Sequence, residues 1–230
     1  MLFTVDWFNL MAYDFHGGWD SVTGPHTALR SSDGLNTEHA LELYFAAGVP
    51  PSKIVCGLAL YGRAWTVSSS SGSMEYGMRT SGLAKAGPCT QEAGVLNQLE
   101  ISTLVGSNFK VDKETQTVIG WSGDQFVTFE NEETLGAKID YFHELGLGGV
   151  MTWAMSMDVD YKLMKHVYDK AISTTTDSSS SSSDQSSSDC RDVVQCGQDM
   201  LSCVKQADET EICSCSDSWS KCLSKKECDS

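Results

Sequence analysis

Residues 6–20 of the chain read DWFNLMAYDFHGGWD, and this stretch decides the fold class. Its first half, Trp7–Tyr13, is an apolar run of the length expected of a buried parallel strand. Glycine and polar residues follow, so we expect the strand to end near Asp14 in a loop. A tyrosine and an aspartate would then lie at the carboxyl end of the strand, where α/β proteins place their ligand sites.

Helix signals follow each apolar run. Asn36 and the residues after it supply capping chemistry for a helix that places Leu41, Tyr44 and Phe45 on one face, and Gly48 with two prolines ends it. A second helix is expected after Asn131, because an asparagine cap and first-turn acids satisfy free amides at a helix start. The predicted buried residues of this second helix are Leu135, Ile139 and Phe142. A closing helix is predicted at Tyr161–Ile172.

Two further apolar runs resemble the first. Ile54–Leu60 is followed by the polar and aromatic stretch Tyr61–Trp65, and Val150–Met155 forms the third run. The order βα, βα, βα predicts an α/β fold with a parallel sheet or barrel. Tyr13, Asp14, Arg63 and Trp153 would all lie at the carboxyl ends of its strands.

The segment at about 66–130 breaks this alternation. It carries short possible strands and a turn region, and a structureless connection of this length is uncommon in a compact domain. We therefore predict an inserted small α+β unit. Its predicted strands are Val95–Ile101, Phe109–Val111 and Thr117–Trp121.

Composition divides the rest of the chain. Residues 173–189 are almost entirely serine, threonine and aspartate, which predicts an extended linker after a domain at 1–172. Residues 190–230 carry seven cysteines, which predicts a small disulfide-rich C-terminal module in a secreted, extracellular protein. Because seven is odd, one thiol is free, pairs outside the chain, or pairs with Cys56 or Cys89. No signal peptide is visible at Met1, so we expect the true start to lie upstream.

Charge and histidine placement exclude several function classes. The net charge is −15, which disfavours nucleic acid and anionic membrane surfaces as partners, whereas a neutral polymer stays compatible. No apolar run approaches the length of a membrane span. The five histidines show no zinc-helix spacing, so we predict neither a metal nor a cofactor.

Three motifs, in chain order, resemble family 18 glycoside hydrolases, the chitinases. Asp6–Asp20 resembles the sixth-strand motif of that family, Tyr61–Trp65 the seventh, and Gly148–Trp153 the eighth. The resemblance covers about residues 3–172 and is strongest to the fungal killer-toxin-like subgroup. It implies a partial (β/α)8 TIM barrel, consisting of the last three βα units with the α+β insertion.

The resemblance also implies site residues and a ligand, which is chitin or N-acetylglucosamine oligomers. Tyr13 would hold the substrate's acetamido group for attack on the anomeric carbon, in a substrate-assisted retaining mechanism. Asp14 would support catalysis and, with Arg63, bind sugar hydroxyls. The remaining implied substrate-binding residues are Trp153 under the −1 sugar, Trp19 on the leaving-group side, and Met11 and Tyr61 lining the pocket.

Physical chemistry favours the same residue types. A pyranose has an apolar face that packs on indole and hydroxyls that need charged partners. Two structural alternatives stay open: Trp153 could be a core residue, and Asp14 with Arg63 could be an ion pair that only ties strand ends together. The tail could bind chitin too, although it offers a single tryptophan, Trp219.

The family's fourth-strand motif, Asp-x-x-Asp-x-Asp-x-Glu, occurs nowhere in the chain, so the general acid is absent. Loss of a positioned general acid costs about 10²- to 10⁴-fold in rate. We therefore predict a chitinase portion that is inactive alone and hydrolyses chitin when a missing N-terminal half completes it. The alternatives are a non-catalytic chitin-binding lectin and an endo-acting N-acetylglucosaminidase.

Overall fold

The computed structural model describes residues 4–68 and 74–173, all within the unit Met1–Thr174. The predicted linker after Ser173 and the cysteine-rich module lie outside the described residues. Short 3-10 turns occur at Pro51–Lys53 and Met155–Met157. The strands and helices, in chain order, are β1 (Phe8–Leu10), α1 (Thr37–Ala46), β2 (Ile54–Ala59), β3 (Tyr61–Val67), β4 (Thr80–Leu83), β5 (Val95–Asn97), α2 (Gln98–Val105), β6 (Phe109–Asp112), β7 (Thr117–Ser122), β8 (Gln125–Phe129), α3 (Glu132–Glu144), β9 (Gly149–Trp153) and α4 (Lys162–Ser173).

The parallel sheet has the order β1-β2-β9, which confirms the predicted βα, βα, βα order. Leu10 pairs with Cys56, and Ala59 pairs with Trp153, so the three carboxyl ends lie at one edge. The first strand is shorter than the predicted Trp7–Tyr13. The Ala12 amide bonds back to the Leu10 carbonyl, and Asp14 has a φ of 61°, so the backbone leaves the extended conformation after Leu10.

Helix caps form where the sequence predicts them. The Asn36 side chain accepts from the His39 amide at the start of α1, and Asn131 forms a capping box with Thr134 at the start of α3. The predicted face of α3 is buried against the parallel sheet, with Leu135, Ile139 and Phe142 at most 2% exposed. Local capping chemistry and apolar spacing were therefore sufficient to locate these helices. No helix in the described ranges combines the length and apolar character needed to cross a bilayer.

The Cys56 thiol is free and buried in β2 within the same core. Burial raises its pKa to about 12, so the thiol is protonated at neutral pH. Cys56 therefore has the properties of an inert core residue.

A second, antiparallel sheet has the order β4-β3-β8-β7-β6, and β5 pairs with β3. It confirms the two predicted strands there, which span Phe109–Asp112 and Thr117–Ser122. The sheet begins at Tyr61, ahead of the segment from 66 at which the insertion was expected. The first strand of the second sheet thus continues almost directly from the second strand of the parallel sheet.

The predicted strand Val95–Ile101 is wrong beyond Asn97. The Asn97 side chain accepts from the Glu100 amide, and the Glu100 carboxylate accepts from the Asn97 amide. This capping box starts α2 at Gln98. Strand β8, Gln125–Phe129, was not predicted; all of its residues are buried, so its sequence lacks the alternation of a half-exposed strand.

A buried ion pair lies at α3, and its lysine also contacts the loop after β1. Lys138 and Glu130 are in direct contact, and their side chains are 3% and 1% exposed. The Lys138 ammonium also donates to the Thr27 carbonyl, and Glu130 accepts from the Thr134 hydroxyl. The contact with Thr27 fixes the main chain of that loop next to the candidate site.

Candidate active site

The carboxyl ends of the three parallel strands bring the predicted site residues to one region. Tyr13 and Asp14 follow β1, Tyr61 and Arg63 lie at the start of β3 just beyond β2, and Trp153 ends β9. The Leu60 amide bonds to the Trp153 carbonyl at 2.8 Å, which links the second and third of these ends.

Asp14 is the centre of the hydrogen-bond network. Its Oδ1 atom accepts from the Tyr61 hydroxyl at 2.6 Å and from Arg63 Nε at 2.8 Å. Partial burial alone would raise the pKa of Asp14, but the nearby His26 and the hydrogen bonds from Arg63 and Tyr61 outweigh it and hold the pKa well below its usual range. The carboxylate is therefore ionised at neutral pH and faces a permanent cation.

Tyr61 and Arg63 keep the protonation states that this network requires. Burial, together with donation to the Asp14 carboxylate, raises the pKa of Tyr61, so its hydroxyl stays a donor. The hydrogen bond to Asp14 raises the pKa of Arg63 in spite of partial burial. The predicted Asp14–Arg63 ion pair is thus formed, and a binding role beyond it stays a prediction.

Aromatic rings surround the ion pair. The Tyr13 and Tyr61 rings meet edge to face with centroids 6.3 Å apart. The Arg63 guanidinium lies 5.2 Å from the Trp19 ring centroid, within cation–π range. The Trp19 ring covers Gly17 so closely that a Cβ there would lie 2.4 Å from it, which explains the glycine. Tyr13, Asp14, Trp19, Tyr61 and Arg63 form one contact group, which we call the Asp14 cluster.

Met11 and Trp153 lie beside the Asp14 cluster with exposed side chains. Trp153 is 58% exposed and Met11 is 69% exposed, and neither side chain joins the hydrogen bonds and ring contacts of the described residues. The alternative that Trp153 belongs to the core is therefore wrong. An exposed indole at the carboxyl end of a parallel strand is a surface on which a sugar ring can pack.

Gly57 in β2 allows close packing of side chains beneath the site. A Cβ at this position would lie 2.7 Å from the Leu10 carbonyl and from the Tyr13 ring, and 2.9 Å from the Met151 methyl. Only a residue without a side chain lets Tyr13 and Met151 close over β2.

We expect Gly57→Ala to destabilise the chain by about 1–3 kcal/mol, because the added methyl overlaps backbone and a partly buried ring. Urea unfolding followed by tryptophan fluorescence measures the change. Gly149→Ala is the matched control, because nothing lies within 4 Å of a Cβ built at Gly149 in β9. An equal loss in both variants would contradict the packing argument.

Sequence reasoning missed His26. Its side chain is 0% exposed, its Nδ1 atom lies 3.9 Å from Asp14 Oδ1, and its ring lies 5.2 Å from the Tyr61 ring. By contrast, His16 packs in the loop between Asp20 at 3.3 Å and Asp33 at 2.9 Å. A histidine in a polar loop carries no sequence signal of burial, so the burial of His26 emerges only from the fold.

The structure also contains a cavity outside the Asp14 cluster, and its acidic, histidine and cysteine side chains can be searched for a metal site. A cavity of about 610 Å³ is lined by His16, Gly24, Asp33, Tyr76 and Lys110 among others, and includes none of the predicted site residues. Within residues 4–68 and 74–173, no group of three or more acidic, histidine or cysteine side chains is arranged to hold a metal ion.

Comparison with known proteins identifies the family of the chain. The family model for glycosyl hydrolases family 18 matches residues 2–158, which is more than half of the chain. The chain belongs to glycosyl hydrolase family 18. A class V chitinase of Medicago truncatula is 31% identical over 165 residues, which is 70% of this chain and 41% of the relative.

Solved family 18 structures share the fold. A chitinase of Cycas revoluta in complex with (GlcNAc)3 has a TM-score of 0.66 and 33% identity, over 74% of this chain and 48% of that one. Human YKL-39, described as a pseudo-chitinase with retained chitooligosaccharide binding, has a TM-score of 0.66 and 27% identity, over 72% and 50%. This family 18 chain thus spans about half or less of the length of these relatives.

Proposed function

We propose that this chain supplies part of the sugar-binding wall of a family 18 chitinase and binds chitin oligomers. The observation that supports the proposal is the Asp14 cluster. It combines an ionised aspartate, an arginine and the exposed indole of Trp19, and the exposed indole of Trp153 lies beside it at the same edge of the parallel sheet. Sugars need both kinds of contact, charged hydrogen-bond partners for hydroxyls and flat apolar surfaces for C–H faces.

In this proposal each residue acts on the −1 sugar or its neighbour. Trp153 packs against the −1 ring, and Tyr13 donates a hydrogen bond to the acetamido group and orients its oxygen for attack on the anomeric carbon. Asp14 and Arg63 bind hydroxyls next to the cleaved bond, and Trp19 packs under the sugar on the leaving-group side. Met11 and Tyr61 line the pocket. Configuration is retained because the acetamido oxygen takes the place of an enzyme nucleophile.

Hydrolysis needs a proton donor for the leaving oxygen. The family motif that carries this acid is not among the 230 residues. We therefore propose that cleavage occurs only when a segment carrying the acid completes the site, and that this chain by itself binds without cleaving. We also propose that the protein is secreted, that it belongs to the killer-toxin-like subgroup, and that residues 190–230 form a disulfide-rich module.

A chitin-binding lectin is the second candidate. Human YKL-39, described as a pseudo-chitinase with retained chitooligosaccharide binding, shares this fold. The Asp14 cluster and Trp153 would serve a lectin equally well, since none of them is the general acid. The full transcript separates the candidates, because an upstream acid motif ending in glutamate favours the hydrolase and one with that glutamate replaced favours the lectin.

Isothermal titration of the full chain with tetra-N-acetylchitotetraose tests the binding proposal. We expect saturable heat with this oligomer and none with cellotetraose, which has the same β-1,4 backbone but lacks the acetamido groups that Tyr13 is proposed to contact. Chromatography of the same mixture should show uncleaved oligomer. Equal binding of both sugars, or of neither, would contradict the proposal.

A further inference from the structure

His26 is buried beside the Asp14 cluster without a hydrogen bond to either ring nitrogen. A polar group that is buried and unpaired costs about 1–3 kcal/mol, so such groups in native proteins call for a physical reason. The nearest charged atom among its described contacts is Asp14 Oδ1, at 3.9 Å from Nδ1, which is beyond hydrogen-bond distance.

The main chain holds the His26 ring in place. The His26 carbonyl accepts from the Phe15 amide at 3.0 Å, and the next carbonyl, that of Thr27, accepts from the buried Lys138 ammonium. The ring itself packs at 5.2 Å from the Tyr61 ring. The Asp14 carboxylate, in contrast, is about one third exposed and is held only through its side-chain contacts. Of the two groups, the carboxylate has more room to move, because it is the more exposed.

Asp14 Oδ1 already accepts from both Tyr61 and Arg63. A sugar hydroxyl at the site would compete with Arg63 for this carboxylate, and a shift of Asp14 by about 1 Å toward the interior would bring Oδ1 within hydrogen-bond distance of His26. Burial lowers the pKa of His26, so the ring is neutral and one nitrogen carries a proton to donate.

We propose that His26 is a positioning residue for Asp14: when sugar binds, a ring N–H of His26 donates to Asp14 Oδ1 and holds the carboxylate in its binding position. This inference rests on the proposed function. His26 touches no sugar and acts only through Asp14. Its buried location behind the ion pair makes it a fixed donor that water does not replace.

Titration of tetra-N-acetylchitotetraose into full-length variants tests this role. We expect His26→Leu to weaken binding by about tenfold or more, because a hydrogen bond to a charged group is lost. His26→Gln keeps a side-chain N–H and should stay within about threefold of the native chain. The matched control is His166→Leu, since His166 Nε2 is also buried and unpaired but packs on α4 beside Gly136.

Ring ¹⁵N signals give a second readout that a general loss of packing does not move. On saturation with the oligomer, the His26 ring nitrogens should shift and those of His166 should not. If the native chain binds the oligomer, three results would overturn this inference and leave the proposed function standing. They are an unchanged affinity of His26→Leu, equal losses of affinity in His26→Leu and His166→Leu, and His26 ring signals that do not shift. Absence of binding by the native chain would overturn both. If His26→Leu does not fold, the glutamine variant and the ring signals decide.

Discussion

Lys138→Met should destabilise the chain by about 3–5 kcal/mol, because it leaves the Glu130 carboxylate buried without its cation. Glu130 is 1% exposed and would keep only the Thr134 hydroxyl among its described polar contacts. The Thr27 carbonyl would also lose its donor. Burial lowers the pKa of Lys138, and contact with Glu130 opposes this shift, so the two charges depend on each other. Urea unfolding of the full chain measures the loss.

The matched control is Lys113→Met. Lys113 also contacts a glutamate, Glu133, but the two side chains are 69% and 52% exposed. Exposed pairs contribute about 0–1 kcal/mol, so this variant should be nearly as stable as the native chain. The double variant Lys138→Met with Glu130→Leu should regain most of the loss, since both buried charges are then removed. Similar losses in the two single variants would show that burial does not govern the effect.

Trp153→Ala should weaken binding of tetra-N-acetylchitotetraose by about 30-fold, or about 2 kcal/mol, if the indole packs against the −1 sugar. Removal of a large exposed ring costs little folding free energy, so the effect should appear in affinity and not in urea unfolding. Isothermal titration measures the change in Kd.

Trp7→Ala is the control, since Trp7 and Trp153 are both 58% exposed. Trp7 precedes β1, at the amino end of the parallel sheet, whereas Trp153 lies at the carboxyl end. The sugar affinity of Trp7→Ala should therefore stay native. Equal affinities of the two variants would place the sugar elsewhere than on the carboxyl edge, and the proposed function would have to be abandoned.

Elements that depend on local chemistry were predictable. The Asn36 and Asn131 caps lie next to the amides they bind, and the apolar runs at β2 and β9 are long enough to predict strands, although only β2 is buried. Elements whose pattern is set by neighbours were not. Strand β8 is covered by β3 and β7 on its two edges and is buried along its length, so its sequence shows no alternation. The capping box at Asn97 was readable locally, and the strand prediction there overlooked it.

The sequence by itself determined the α/β order and the residue types at the strand ends, because both depend on residues adjacent in the chain. Only the tertiary structure decided that Asp14 bonds to Tyr61 and Arg63, which lie 47 and 49 residues away. It also decided that His26 and Lys138 are buried. Solvent exclusion and charge pairing come from segments distant in the chain, so a polar residue carries no local sign of them until the fold packs its neighbours around it.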